Sequence, residues 1–366
     1  MTGIREMGAD AREQQVLDRI ETARSRPIRF RDAQITMAHG AGGKATRSLI
    51  EGLLAPAFGS ETLSQLADAG MVTIDGLGLA LTTDSFVVTP LRFPGGSIGE
   101  LAVNGTVNDL AVAGARPVAL TLSLVLEEGL SSDVLRQEVE AIARAAREAG
   151  VEIVAGDTKV VERGHADGMY ICTTGLGRVD LRARLSPTGL RPGDRVILSG
   201  PIGEHGVAIM LARGEFELDA PVESDTCSLW PAVNALLEAA GPGLRCLRDA
   251  TRGGVASVLN ELARASGVAM LVREAAVPVH PAVTGACEIL GIDPMYVANE
   301  GKLVAFVAAD HAAAALDALR AVPGCEAAAE IGEVRTEPPG MVLVETSFGG
   351  KRVMDLLVGD PLPRIC

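Results

Sequence analysis

The chain has 366 residues, 48% hydrophobic and 22% charged, which suits two or three globular domains and excludes a disordered chain. Lys and Arg number 33 against 47 Asp and Glu, a formal charge of −14 with no basic run, so a nucleic-acid surface is excluded. No segment approaches the roughly 20 apolar residues of a membrane span, the Arg/Glu-rich N-terminus has no secretory h-region, and the scattered cysteines lack C-x-x-C spacing, which points to a reduced, cytoplasmic protein.

Residues 1–33 are polar and read as an N-terminal extension. Beyond them, 3% aromatics and 42 glycines imply an Ala/Val/Leu core with close backbone approaches. Gly78–Val88 is β-rich. Ser97–Pro117 reads as a helix, capped by Ser97 with Glu100 three residues on and stopped by Gly114 and Pro117. Leu120–Glu127 reads as a strand. Ser131–Gly150 is an amphipathic helix with Val134, Leu135, Val139 and Ile142 inward and Gly150 as its C-cap, and "VEIVAGDT" returns as a strand. Turn residues cluster over Ser186–Val196, the expected domain boundary. A second α/β unit follows: strand "DRVILSG", helices near 204–213 and 254–266, strand "KLVAFVAA", helix 310–320, and a last strand near Met341–Glu345. The segment after residue 350 reads as an extended, unpacked tail. It has a Gly359-Asp360 turn, two prolines that stiffen "PLPRIC", and a terminal cysteine.

Several polar groups stand in apolar surroundings. Asp84 ends a β-rich run, Asn104, Asn108 and Asp109 interrupt a helix of Ala, Val, Leu and Gly, and Asp157 follows "VEIVAG" with Lys159 two residues on. Singly, each carboxylate could be a cap or a satisfied core group. Together, three carboxylates from separate segments suit Mg²⁺, a hard cation that takes oxygen ligands. Thr251, Arg252, Gly253 and Gly254 open a helix, where free N–H groups and the dipole attract an anion. "SGPIGEHGVAIM" (Ser199–Met210) repeats that pattern, and either alone also fits an ordinary glycine-rich turn. "HGAGGKATRSLI" (His39–Ile50) fits neither a Walker loop, since Ala38 and Ala45 break it, nor G-x-G-x-x-G. A glycine-rich flap with one lysine remains. His39 and His205 lie in glycine-rich segments as candidate substrate contacts. Glu300, in "YVANEGKL", is either a general base in a partly apolar cleft or a turn carboxylate.

"TTDSFVV", "VNGTVNDLAVAGARP", "VAGDTKVV", "GDRVILSGPIGEHG", "DATRGG", "ANEGK" and the terminal "PRIC" occur in this order. Over residues 34–366 the set resembles the HypE family of hydrogenase maturation factors, within the aminoimidazole ribonucleotide synthetase-like superfamily. The N-terminal extension departs from that family's pattern. The resemblance implies an α/β (α+β) two-domain fold: 34–184 for ATP binding and dimerisation, 185–350 as a mixed-sheet C-terminal domain, and 351–366 as a flexible tail. It implies that the N-terminal sheets of a homodimer close a β-barrel. It further implies ATP and Mg²⁺, with Asp84, Asp109 and Asp157 on metal and phosphates, Asn104 nearby, and Thr251, Arg252, Gly253 and Gly254 on phosphate. A carbamoyltransferase, HypF, would load Cys366. ATP-dependent dehydration would then turn the thiocarbamate into a thiocyanate, whose cyanide passes to iron on a HypC–HypD complex. Glu300 and Lys159 are the implied base and phosphate-neutralising cation. A selenophosphate synthetase-like small-molecule enzyme is the alternative within the superfamily, disfavoured because "HGAGGK" lacks a cysteine. A non-catalytic carbamoyl carrier is the other.

Overall fold

The computed structural model describes residues 29–60, 62–63, 66–214, 221–357 and 364–366. Before the first sheet, α1 (Lys44–Leu49) runs through a π turn at Ile50–Leu54 into α2 (Ala55–Phe58). Long runs rich in Thr, Val and Leu then form β1 (Gly70–Ile74), β2 (Leu77–Phe86), β5 (Ala115–Glu127), β6 (Glu152–Val161) and β7 (Met169–Val179), with a short hairpin of β3 (Arg92–Phe93) and β4 (Gly96–Ser97) between. The sheet order is β1-β2-β7-β5-β6. Only β5 and β6 run parallel, because α4 (Ser132–Ala149) supplies the crossover between them.

The helix α3 (Ile98–Val112) carries apolar residues on every side, as a helix between two layers must. All of it except Glu100 and Asp109 is buried. It packs against β2, β5 and β7 on one side and against the second domain on the other. The Ser97 cap expected from the sequence does not form a side-chain hydrogen bond, and Glu100 instead pairs with Arg144 of α4. The inward face of α4 is also rotated from the expected one. Val139 is 45% exposed while Glu138 is buried, because Gly99 leaves room for it and donates its N–H to Glu138 Oε2 at 3.1 Å, with Arg92 completing an ion pair at 2.7 Å.

The second domain is built on a mixed seven-stranded sheet. Its strands are β8 (Arg195–Leu198), β9 (Leu244–Asp249), β10 (Ala269–Arg273), β11 (Leu303–Val307), β12 (Ala329–Arg335), β13 (Val342–Glu345) and β14 (Lys351–Met354), in the order β14-β13-β10-β12-β8-β11-β9. Its helices are α5 (Glu204–Ala212), α6 (Trp230–Ala239), α7 (Gly254–Ser266), α8 (Pro281–Leu290) and α9 (Ala312–Arg320). Both sheet faces are covered, so β11 is apolar throughout. Leu303, Ala305 and Val307 pack with Leu236 and Ala315 of α6 and α9, whereas Val304 and Phe306 pack with Val255 and Leu259 of α7. The expected tail begins later than residue 350: Lys351–Met354 pairs antiparallel with β13 and forms the sheet edge.

Candidate active site

A helix, a strand end and a loop deliver carboxylates to one place between the domains. Asp109 sits in the last turn of α3, Asp249 closes β9, and Asp68 precedes β1. One oxygen from each lies within 4.8 Å of the others. Thr82 Oγ1 donates to Asp109 Oδ2 at 2.7 Å, and Thr106 Oγ1 donates to Asp84 Oδ2 at 3.2 Å. Arg248 pairs with Asp68 at 3.2 Å. Burial, then the Asp68 charge, pushes Asp249 up to about 8. Burial and the charges of Asp84, Asp249 and Asp68 hold Asp109 well above the usual carboxylate range. Asp84 is raised by burial, with Arg252 pulling it back. Crowded carboxylates in a partly dry site take up protons or a cation, and an all-oxygen set fits Mg²⁺.

Asp157 departs from this arrangement. Asp157 is in register with Ser123, Ser123 with Cys172, and Cys172 with Ser85, so three strand spacings separate it from the Asp84 region. At about 4.8 Å per spacing that is roughly 14 Å. On edge strand β6, Asp157 is 62% and Lys159 68% exposed, and they pair with each other at 2.8 Å. Within one chain the carboxylate set is therefore Asp68, Asp109 and Asp249 with Asp84 beside it. Asp68 and Asp249 were not singled out in the sequence. Asp249 lay inside the quoted "DATRGG" two residues before Thr251, whereas Asp68 in "LADAG" carries no local signal.

The start of α7 lies next to this set. Gly253 and Gly254 have φ of +75° and +62°, and no side chain caps the helix. A Cβ on Gly254 would lie 2.5 Å from the Met295 carbonyl oxygen. The glycine-rich segment after His39 folds over this start: Arg252 Nη1 donates to Gly40 O at 2.9 Å and Ser257 Oγ to Gly42 O at 3.3 Å. Its lysine, Lys44, turns away to Asp355. Glu300 is buried, held well above its usual range by burial and by Asp249 and Asp225, with Arg252 opposing. Asn104 is buried too, and its Nδ2 donates to Thr226 Oγ1 at 3.1 Å.

The chain end is packed, contrary to the unpacked tail expected from its prolines; residues 358–363, including the Gly359-Asp360 turn, lie outside the described residues. Ile365 is 5% exposed within a core cluster drawn from both domains. Val87 N–H donates to a terminal oxygen of Cys366 at 3.0 Å and Thr89 N–H to Arg364 O at 3.4 Å, so the tail adds to the end of β2 like a short strand. Arg213 Nη2 donates to Arg364 O at 2.7 Å, and Arg364 pairs with Asp167 and donates to Thr89 Oγ1. His205 Nε2 lies 2.6 Å from Ile365 O, an acceptor, so Nε2 carries the proton and Nδ1 accepts from Ser224 Oγ at 2.8 Å. Burial lowers the pKa of His205 and keeps it neutral. Cys366 thereby lines a cavity of about 140 Å³ together with Ser85, Arg252, Gly253 and Tyr296.

Residues 66–179 match the AIR synthase related protein N-terminal domain and residues 191–344 the AIR synthase related protein C-terminal domain. Carbamoyl dehydratase HypE of Cupriavidus necator is 51% identical over 93% of this chain and 97% of its own. That of Rhodobacter capsulatus is 49% identical over 92% and 99%, and that of Escherichia coli 44% over 91% and 99%. The chain belongs to the HypE family. Among solved structures, the HypE–HypF complex superposes with a TM-score of 0.80 at 44% identity, covering 84% of this chain and 99% of that one. HypE in complex with ATP gives 0.77 at 44% identity, over 91% and 100%. The two-domain AIR synthase-like architecture expected of the HypE family is the one observed.

Proposed function

We propose that the chain is an ATP-dependent carbamoyl dehydratase acting on a thiocarbamate carried by its own Cys366, and that the thiocyanate formed supplies cyanide for the iron of [NiFe]-hydrogenase. The observation that carries this reading is the seating of Cys366 in the cavity beside Arg252 and Gly253. The names of the relatives, carbamoyl dehydratases, and the solved HypE complex with ATP support it.

The reaction converts R–S–C(=O)–NH₂ and ATP into R–S–C≡N, ADP and phosphate. The carbonyl oxygen leaves with the transferred phosphoryl group and both amide protons are removed. Thr251 and Gly253 at the start of α7 would offer N–H groups to phosphate, while the Gly254 N–H is taken by Thr251 O at 2.8 Å and closes the turn that aims them. Arg252 supplies a fixed positive charge beside Cys366. Asp68, Asp109 and Asp249, with Asp84, would hold Mg²⁺, which neutralises phosphate charge when bound. Glu300, raised by its buried surroundings, is the proton acceptor for the amide.

Asp157 and Lys159 can take their expected parts only from a second copy, since they lie far from Asp84 in one chain. A homodimer suits the first sheet: Val72, Ile74, Leu77 and Leu81 share its open face by register and leave it with 40% or more of their surface exposed. Two such sheets would close the expected barrel and cover this apolar area. HypF is the proposed carbamoyl donor, in line with the solved HypE–HypF complex, and HypC–HypD the iron-bearing acceptor. A reduced cytoplasm is the proposed setting; among the described residues no helix is long and apolar enough to cross a membrane.

The test follows the mass of the carbamoylated tail after ATP is added. Loss of one water is expected, and Cys366→Ala abolishes it. An unchanged mass would leave a carrier, and phosphorylation of a free small molecule by Cys366→Ala would leave a synthetase.

A further inference from the structure

The irregular segment Val222–Leu229 links His205, Glu300 and the polar groups of α3, and belongs to no helix or strand until α6. Ser224 Oγ bonds His205 Nδ1 at 2.8 Å and accepts from Thr226 N–H at 3.2 Å, and His205 holds the tail through Ile365 O. Asp225, next along, is 1% exposed at its side chain. One of its oxygens accepts from Glu300 N–H at 3.0 Å and the other from Gly301 N–H at 3.2 Å. Lys302 Nζ lies 3.2 Å from Asp225 Oδ2 and 3.5 Å from Glu204 Oε2, which balances the buried charge. The segment sits so close that a Cβ on Gly301 would lie 1.8 Å from Asp225 O. Thr226 then reaches Asn104, and Cys227 O accepts from Asn108 Nδ2 at 2.9 Å.

We propose that Ser224 and Asp225 are positioning residues with two separable arms, one setting the reacting tail through His205 and the other setting Glu300 through its own backbone. Two consecutive side chains thereby fix proton acceptor and substrate relative to each other. A carboxylate that takes two adjacent backbone N–H groups fixes the direction in which the Glu300 side chain leaves the chain. A histidine whose Nδ1 accepts from Ser224 keeps its Nε2–H on the tail carbonyl. The assignment rests on the dehydratase reading, in which Glu300 removes the amide proton. Misplacement of a positioned group by about 1 Å can cost on the order of 100-fold in rate.

The test uses full-length protein carbamoylated on Cys366. Single-turnover dehydration is followed by tail mass at saturating Mg-ATP, and tail seating by hydrogen exchange at the Val87 amide. Asp225→Asn is expected to slow the turnover by at least about tenfold, with the half-saturating ATP concentration within about twofold and Val87 exchange unchanged. Ser224→Ala is expected to speed Val87 exchange severalfold. A wild-type rate in Asp225→Asn, or equal disturbance of both readouts by either variant, overturns the proposal. Should Asp225→Asn not fold, Asp225→Glu keeps the charge, displaces the brace and is expected to show the same rate loss; a wild-type rate there overturns it equally. Glu300→Gln separates the two claims. If it dehydrates at the wild-type rate, the base reading fails; if it is inactive while Asp225→Asn is not, only the brace fails.

Discussion

Asp109→Asn should make the metal-free protein more stable and the enzyme inert. Asp109 has oxygens of Asp68 and Asp249 within 4.8 Å, and all three are shifted toward the protonated form by burial and by neighbouring carboxylates. At that separation two full charges repel by about 3 kcal/mol at an effective dielectric near 20. Partial protonation relieves part of this, so removing one charge should gain about 1–3 kcal/mol without metal. The amide oxygen can still accept from Thr82 Oγ1, so little is lost in exchange. The sign with pH follows from linkage. Folded pKa values above the unfolded value of about 3.9 mean that the folded chain holds protons the unfolded chain releases. Metal-free stability is therefore greatest below pH 4 on this account and falls as pH rises toward about 8, where Asp249 ionises. Mg²⁺ replaces those protons, so its stabilising effect should grow across the same window. Urea unfolding at pH 5, 7 and 8.5, with EDTA or Mg²⁺, measures all of this. An Asp109→Asn protein no more stable than its parent in EDTA at the highest pH would refute the charge argument, as would a parent whose Mg²⁺ gain does not increase with pH.

Gly254→Ala forces a side chain into φ +62° and against the Met295 and Val297 carbonyl oxygens at 2.5 and 2.6 Å. The backbone term alone is about 1–2 kcal/mol, and the shifted helix start should weaken ATP binding at least about tenfold in calorimetry. Leu81→Asp puts a charge on the open sheet face, where Leu81 is 43% exposed, and should convert a dimer to monomer in sedimentation velocity. Arg364→Ala removes the Asp167 pair and the Thr89 hydroxyl contact, so amide exchange at Val87 and Thr89 should accelerate by about tenfold or more.

What was legible in the sequence followed from local chemistry. The α4 C-cap at Gly150, the α7 start at Gly254 and the strand β11 lie where periodicity and glycine placed them. Asn104 was singled out because a polar group in an apolar helix needs a reason to be there, and Glu300 because it stands in a turn just before an apolar strand; both are buried. What stayed hidden shares one cause, which is dependence on partners remote in sequence. Asp157 looked equivalent to Asp84, yet strand order sets it three positions across the sheet. Asp68 and Asp225 carry no local signal, and only the fold brings Asp249 and Glu300 to them. The tail looked unpacked because prolines exclude regular structure. Nothing local shows that Ile365 has a core cluster waiting for it.

The packing of the tail bears on how the proposed substrate end can be both held and released. A tail fastened only by burial of Ile365 would gain about 1.5–3 kcal/mol from that side chain, in a contact without direction. A tail fastened only by hydrogen bonds would exchange them for water at small net gain. Here the two are combined: Ile365 supplies the burial, while Val87, Thr89, His205 and Arg213 set its register to single residues. Each polar contact is worth on the order of 1 kcal/mol, so losing a few of them opens the tail without unfolding either domain. On the proposed reading, the body that keeps the carboxylates crowded stays intact while the tail leaves to be loaded and returns to be dehydrated.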